Sequence, residues 1–194
     1  MNIIEKNAVA WYVLRVTYQR EITASKALEE LQIEHYVPTI RTRIRNEKGV
    51  SIGWKTEPLV HNYIFVHDSY ENILKLKQSK LDYLRFMMGK DDAGLLNIPQ
   101  YVPDRQMNDF IKVVRTMGFK PVDVNIDLRK GDRVRVLTGP FEGVEGVFVK
   151  MPTRHEKRVV IKIEGVAAVA TMALNASDVE KIEVKEEKIK NYHI

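Results

Sequence analysis

Residues 11–16 read Trp-Tyr-Val-Leu-Arg-Val, an almost unbroken run of β-formers that predicts a largely buried strand. Ala24, Ala27, Leu28 and Leu31 then fall at i, i+3, i+4 and i+7. Arg20, Glu21, Lys26, Glu29 and Glu30 lie mostly elsewhere around the turn, so a helix follows, with Thr17 as its candidate N-cap. The pattern becomes extended at 35–40, where Pro38 demands an edge or a bulge. It continues into Arg41, Arg43 and Arg45, whose spacing of two sends three guanidinium groups to one face of a strand. Asn46-Glu47-Lys48-Gly49 is turn chemistry, and 51–57 returns as the second arm of a hairpin.

Residues 63–66 form a further strand. Asp68 and Glu71 have capping-box spacing ahead of a short helix around Ile73, Leu74 and Leu76. A strand is expected at 84–88, a polar turn at Asp91-Asp92, and a loop bracketed by Pro99 and Pro103. Met107, Phe110, Ile111 and Val114 again fall at i, i+3, i+4 and i+7, so a last helix starts near Pro103. Helical periodicity stops there. Residues 118–127 carry Pro121 and spaced acids without usable periodicity, and are expected to be a linker. From 128 the texture changes to short β runs with glycine turns: Val134 and Val136, then 144–149, 159–163, 167–174 and 179–182. Short strands at this density suggest a small barrel over 128–184, before a charged tail at 185–194. The expected fold is therefore an α+β N-terminal domain over 1–117, an antiparallel sheet flanked by helices, followed by a small all-β domain.

The chain has 194 residues, 44% hydrophobic and 29% charged, which suits a soluble globular protein. It has no apolar run near the roughly 18–20 residues of a membrane-spanning helix. The first residues lack the basic-then-apolar order of a signal peptide. Cysteine is absent, which excludes disulfides and thiolate chemistry and suits a reducing cytoplasm. A net charge of +5 is compatible with a nucleic-acid partner without requiring one.

Catalytic chemistry finds no foothold. His35, His61, His67, His155 and His193 show no metal-ligand spacing, and Asp91-Asp92 reads as a turn. The glycines from 139 to 146 lack the Gly-Lys-Ser/Thr of a phosphate loop, and no nucleophile elbow is present. No enzyme, metal or cofactor is expected.

The most specific signature is the segment 130–147, Lys-Gly-Asp-Arg-Val-Arg-Val-Leu-Thr-Gly-Pro-Phe-Glu-Gly-Val-Glu-Gly-Val. Val134 and Val136 would face inward, and Gly139-Pro140 and Gly143 supply turn dihedrals. Gly131-Asp132 would start the first strand, Phe141 would cover the open end of the barrel, and Gly146 inside the next strand permits a bulge or close backbone approach. This segment closely resembles the KOW motif of SH3-like barrels, with these residues structural. The N-terminal half, with Trp-Tyr-Val, a helix, Tyr36-Val37-Pro38-Thr39, a basic hairpin and Leu59-Val60-His61-Asn62-Tyr63, resembles the NusG N-terminal domain in order and spacing. The resemblance extends from about Trp11 to Ile182 and implies a monomeric, cytoplasmic transcription elongation or antitermination factor.

It implies that an apolar, aromatic patch docks on the clamp helices of the largest RNA polymerase subunit. Tyr12, Val60, His61, Asn62, Tyr63 and Phe65 are the candidate residues, with Phe65 equally readable as core. Val60 and His61 stand where the family has Phe and Pro, so the docking segment is altered. Ile73, Leu74 and Lys75 correspond to a second polymerase contact across the cleft, so that the factor bridges it and suppresses pausing. The altered segment points to a specialised RfaH-like or UpxY-like member serving particular operons. The barrel's implied partner is a ribosomal protein or a termination factor. From the residues themselves, Arg41, Arg43, Arg45, Lys48 and Lys55 are candidates for nucleic-acid contact, which the resemblance places on DNA near the transcription bubble. Charge protection of an edge strand is the competing reading. The rival function is a ribosome-associated, RNA-binding KOW protein. No membrane partner is expected.

Overall fold

The computed structural model describes residues 9–90, 96–117, 131–151, 156–163 and 166–182. The expected linker at 118–127, the Asp91-Asp92 turn, His155, His193 and the tail at 185–194 lie outside the described residues. The N-terminal half is built on strands β1 (Val9–Val16), β2 (His35–Tyr36), β3 (Thr39–Arg45), β4 (Ser51–Pro58), β5 (Tyr63–Ser69), β6 (Leu84–Phe86), β7 (Met88–Lys90), β8 (Leu96–Pro99) and β9 (Tyr101–Val102). Its helices are α1 (Glu21–Glu30), α2 (Tyr70–Ser79) and α3 (Asp104–Met117). The order β2-β5-β1-β6, with β9 also on β1, makes a five-stranded antiparallel sheet. Among the described residues, strands β3 and β4 pair only with each other, as do β7 and β8.

Both faces of the main sheet are covered, which is why β1 and β5 read as continuous apolar runs rather than as alternation. Tyr12, Leu14, Val16, Ile64 and Val66 lie in one core with Ala24, Leu28 and Ile73, beneath α1 and α2. Trp11, Val13 and Phe65 lie in the other, beneath Met107, Phe110 and Val114 of α3. The register pairs Tyr12 with Val66 and Val13 with Phe65, so alternate residues of β1 belong to different cores. Phe110 sits 5.9 Å from Phe65 and 6.4 Å, edge-on, from Tyr36, tying α3 to β5 and β2.

Local signals placed several boundaries differently. Thr17 caps nothing: Tyr18 and Gln19 adopt positive φ (61° and 53°), and the helix starts only at Glu21. The cap of α2 is Ser69, whose hydroxyl accepts from Asn72 N at 3.2 Å, while Asp68 accepts from Ser69 N and the Asn72 side chain. The expected 84–88 strand is divided at Met87, whose N–H still donates to Val13 O of β1 (2.9 Å) while its carbonyl accepts from Gln100 N (2.7 Å). Between Pro99 and Pro103, β9 joins the sheet where a loop was expected.

The C-terminal part is a second five-stranded antiparallel sheet. Its strands are β10 (Asp132–Val136), β11 (Glu145–Lys150), β12 (Lys157–Ile163), β13 (Ala167–Ala170) and β14 (Val179–Lys181). They are ordered β13-β12-β11-β10-β14. A Cβ on Gly146 would meet Val160 O at 2.5 Å, and one on Gly131 would meet Val147 Cγ1 at 2.5 Å, so both glycines are set by close approach. Gly139 and Gly143 sit at φ +81° and +83° on either side of a short 3-10 turn that carries Pro140 and buries Phe141. Val134 and Val136 face inward as expected.

Helix α3 joins the two parts. One apolar cluster continues from Phe65 and Phe110 through Val113 to Val136, Phe141 and Val144 of the second sheet. The side of α3 away from the first sheet adds polar ties. Arg105 pairs with Glu145 (2.6 Å), Gln106 Nε2 donates to Lys162 O (2.7 Å), and Lys112 Nζ donates to Glu142 O (2.6 Å). Asp109 accepts from Glu145 N (3.0 Å), and burial raises its carboxyl pKa against that hydrogen bond.

Candidate docking segment and basic hairpin

The loop between β4 and β5 is pinned at three points. Leu59 N donates to Pro38 O (2.8 Å), and Val16 N donates to Asn62 O (2.8 Å). Asn62 N donates to the Glu21 carboxylate. Asn62 itself takes φ 68°, a left-handed turn that Asn tolerates. Glu21 is fully buried and its second carboxylate oxygen lacks a partner, so a residue expected on the polar side of α1 serves the loop instead. Leu59, Val60 and Tyr63 pack half-buried on the Trp11–Phe65–Phe110 core, and His61 is exposed. The segment is thus a pinned, mostly apolar ledge with an exposed imidazole at its edge.

Not every residue expected in this patch reaches it. Phe65 is fully buried under α3. Tyr12 is 1% exposed and points to the α1/α2 side, because β1 pairs Tyr12 with Val66 rather than with Phe65. Ile73 is likewise buried in the α2 core, leaving Leu74 half-buried and Lys75 exposed on the outer side of that helix. Residues 59–63 and 74–75 therefore lie on opposite sides of one sheet. Tyr36, which was not a sequence candidate, floors an open groove with Val37, Thr39, Ile40, Val114 and Arg115 next to the ledge, and burial pushes its hydroxyl pKa up to about 12. Its place beside Pro38 in the Tyr-Val-Pro-Thr motif was the available signal.

The hairpin β3–β4 projects as a two-stranded unit. Arg41 and Arg43 share a face and stand opposite Thr56 and Trp54; a bulge that leaves Ile52 unpaired then shifts the register, and Arg45 lies beyond it opposite Ser51. Trp54, which sequence reading passed over, has both guanidinium groups over its ring, 5.4 Å (Arg41) and 5.1 Å (Arg43) from its centroid. Its chemistry was visible, but only the register reveals its face. Arg45 Nη1 donates to Gly49 O (2.9 Å), closing the turn that exposes Lys48. Lys55 is placed differently from the arginines. It stands opposite Thr42 on the other face and pairs with Glu57 at 2.6 Å. Glu57 also accepts from Thr42 Oγ1 at 2.6 Å, and hydrogen bonds from Lys55 and Thr42 lower its pKa.

His67 stacks on Trp11 at 4.9 Å and lies between Glu34 (2.5 Å) and Asp104 (3.5 Å), linking β5 to the entrance of α3. Among the described residues, no cluster of three or more metal-ligating side chains is found.

The family model described as "Transcription termination factor nusG" matches residues 9–111, which takes in β1 through most of α3. Among solved structures, the chain is similar to that described as "Domain interaction in Thermotoga maritima NusG". The identity is 22% over 90% of this chain and 98% of that one, with a TM-score of 0.40. It is also similar to the crystal structure of the MjSpt4:Spt5 complex, conformation B, at 14% identity over 89% and 96% of the two chains, with a TM-score of 0.27.

Proposed function

The chain belongs to the NusG family of transcription factors, and from that premise we propose that it binds RNA polymerase as an elongation and antitermination factor. In this reading the ledge at 59–63 docks on the clamp helices of the largest subunit, with Val60 and Tyr63 as apolar contacts. Leu74 and Lys75 touch the far side of the cleft. The observation that carries the reading is the location of these two segments on opposite sides of one sheet. A single rigid body can then span two walls of a cleft. Binding the closed clamp better than the open one shifts the population toward it and shortens pauses, with no catalytic group involved. The C-terminal sheet is read as a KOW barrel that recruits a further protein, and the departures at Val60 and His61 as adaptation to particular operons.

The test uses the full chain and core RNA polymerase of its host, halted on a paused nucleic-acid scaffold. Wild type is expected to co-migrate with the polymerase and shorten the pause. The Val60→Asp/Tyr63→Ala variant should do neither while retaining its circular-dichroism spectrum, and Leu74→Asp/Lys75→Glu should bind yet leave the pause long. If wild type ignores the polymerase but sediments with ribosomal particles, the proposal fails and the RNA-binding reading replaces it.

A further inference from the structure

The two faces of the hairpin differ in a way that protection of an edge strand does not explain. On one face every charge is answered, because Glu57 takes both the Lys55 ammonium and the Thr42 hydroxyl. On the other, Arg41 and Arg43 have no carboxylate partner among the described residues, and what they stand over is an indole ring that is 52% exposed. Charges that only blunted an edge would not need a large aromatic ring held open to solvent beneath them. Trp54 contributes little packing where it stands: among the described residues β3 and β4 pair with no other strand, and the ring is 52% exposed.

We infer that this face is a stacking platform for an unpaired base of single-stranded nucleic acid, with Trp54 as the ring and Arg41 and Arg43 as clamps on the flanking phosphates. The inference deepens the nucleic-acid role read for the hairpin and rests on that reading. The chemistry selects the ligand. Guanidinium groups recognise phosphate, and their attraction to the ring orients both for a strand running along β3. An exposed aromatic surface gains most from a base whose π-face is free, which a single strand offers and a closed duplex withholds. An acidic peptide would answer the arginines and leave the indole unused. Stacking of this kind tolerates any base, so the platform holds a strand in place without reading its sequence.

The experiment needs no polymerase, so its failure is separable from that of the proposed function. The full chain has two tryptophans. Trp11 is 4% exposed under α3, so fluorescence quenching by added oligonucleotide reports on Trp54. Oligothymidylate should quench it. In an anisotropy assay Trp54→Ala should weaken binding on the order of tenfold or more, and Trp54→Phe should recover most of the loss. An abasic strand of equal length should bind wild type no better than oligothymidylate binds Trp54→Ala. Arg41→Gln/Arg43→Gln should flatten the salt dependence. Oligouridylate in parallel distinguishes RNA from DNA as the bound strand. Equal affinity of wild type and Trp54→Ala, undiminished binding of the abasic strand, preference for duplex, or equal quenching by polyglutamate would each overturn the inference.

Discussion

The chain contains two tryptophans in antiparallel strands, and their fates are opposite. Trp11 lies in β1, stacked on His67 and closed over by α3. Trp54 lies in β4, with two guanidinium groups over its ring and half its surface in water. Neither residue type nor strand propensity separates them. What separates them is whether another element covers the face. The main sheet has helices on both sides, so Trp11, Tyr12 and Phe65 become core, while among the described residues the hairpin pairs only with itself and leaves its ring half exposed. Aromatic side chains under α3 thus belong to the core on which Leu59, Val60 and Tyr63 pack, whereas the one on the hairpin is open to solvent.

The largest blow to this contrast falls on the covered side. Phe110→Ala removes the ring that joins β5, β2 and α3, and should cost about 3–5 kcal/mol in denaturant unfolding. It should also loosen the ledge and weaken polymerase binding. Gly146→Ala tests the second sheet. Its new methyl would meet the backbone of β12, so the loss should be about 1–3 kcal/mol.

Asp109 sharpens the comparison at the helix they share. Asp109→Leu leaves the Glu145 N–H without its acceptor and should cost about 1–3 kcal/mol, while Asp109→Asn keeps an acceptor oxygen and should match or exceed wild type. The sign with pH follows from burial. A carboxyl whose pKa is raised on folding holds its proton more tightly when folded. Its contribution is fully present below the unfolded value and is lost as pH rises through the folded one. The Asn variant's advantage should therefore be visible at neutral pH and shrink as pH falls through the carboxylate range, in thermal unfolding of both proteins. The smallest effect is expected on the open side. Trp54→Ala should change stability by only about 0.5–1 kcal/mol, the scale of exposed cation–π contacts. A loss near that of Phe110→Ala would mean that Trp54 is core after all.

Much of this was legible before any coordinates. The spacing of Met107, Phe110 and Val114 announced α3, and the apolar run at 11–16 announced β1. The turn at 46–49 announced the hairpin, and the glycines and valines of 131–147 announced the second sheet's first strands. What escaped was set by tertiary partners. A run that is apolar on both faces cannot disclose which residues share a core, so Tyr12 was grouped with Phe65 until the register separated them. Glu21 reads as a surface residue until Asn62, forty-one positions away, donates to it. The second stripe of α3, with Gln106, Asp109 and Val113, shows its purpose only when the C-terminal sheet lies against it. Counting strand positions outward from the turn would put Gly53 opposite Arg43 and Trp54 on the other face; the bulge at Ile52 shifts the register by one residue and brings Trp54 opposite Arg43.

The central claim is that one rigid sheet presents two polymerase contacts on opposite sides, with the hairpin reaching nucleic acid between them. It is tested most directly by placing a photoreactive side chain at His61, Lys75 or Ile52, all exposed, and irradiating each in a paused elongation complex. The account predicts that position 61 captures the largest polymerase subunit, position 75 the opposite wall of the cleft, and position 52 nucleic acid. Capture of a single surface from both 61 and 75, or of ribosomal RNA in place of polymerase in a cell extract, would contradict it.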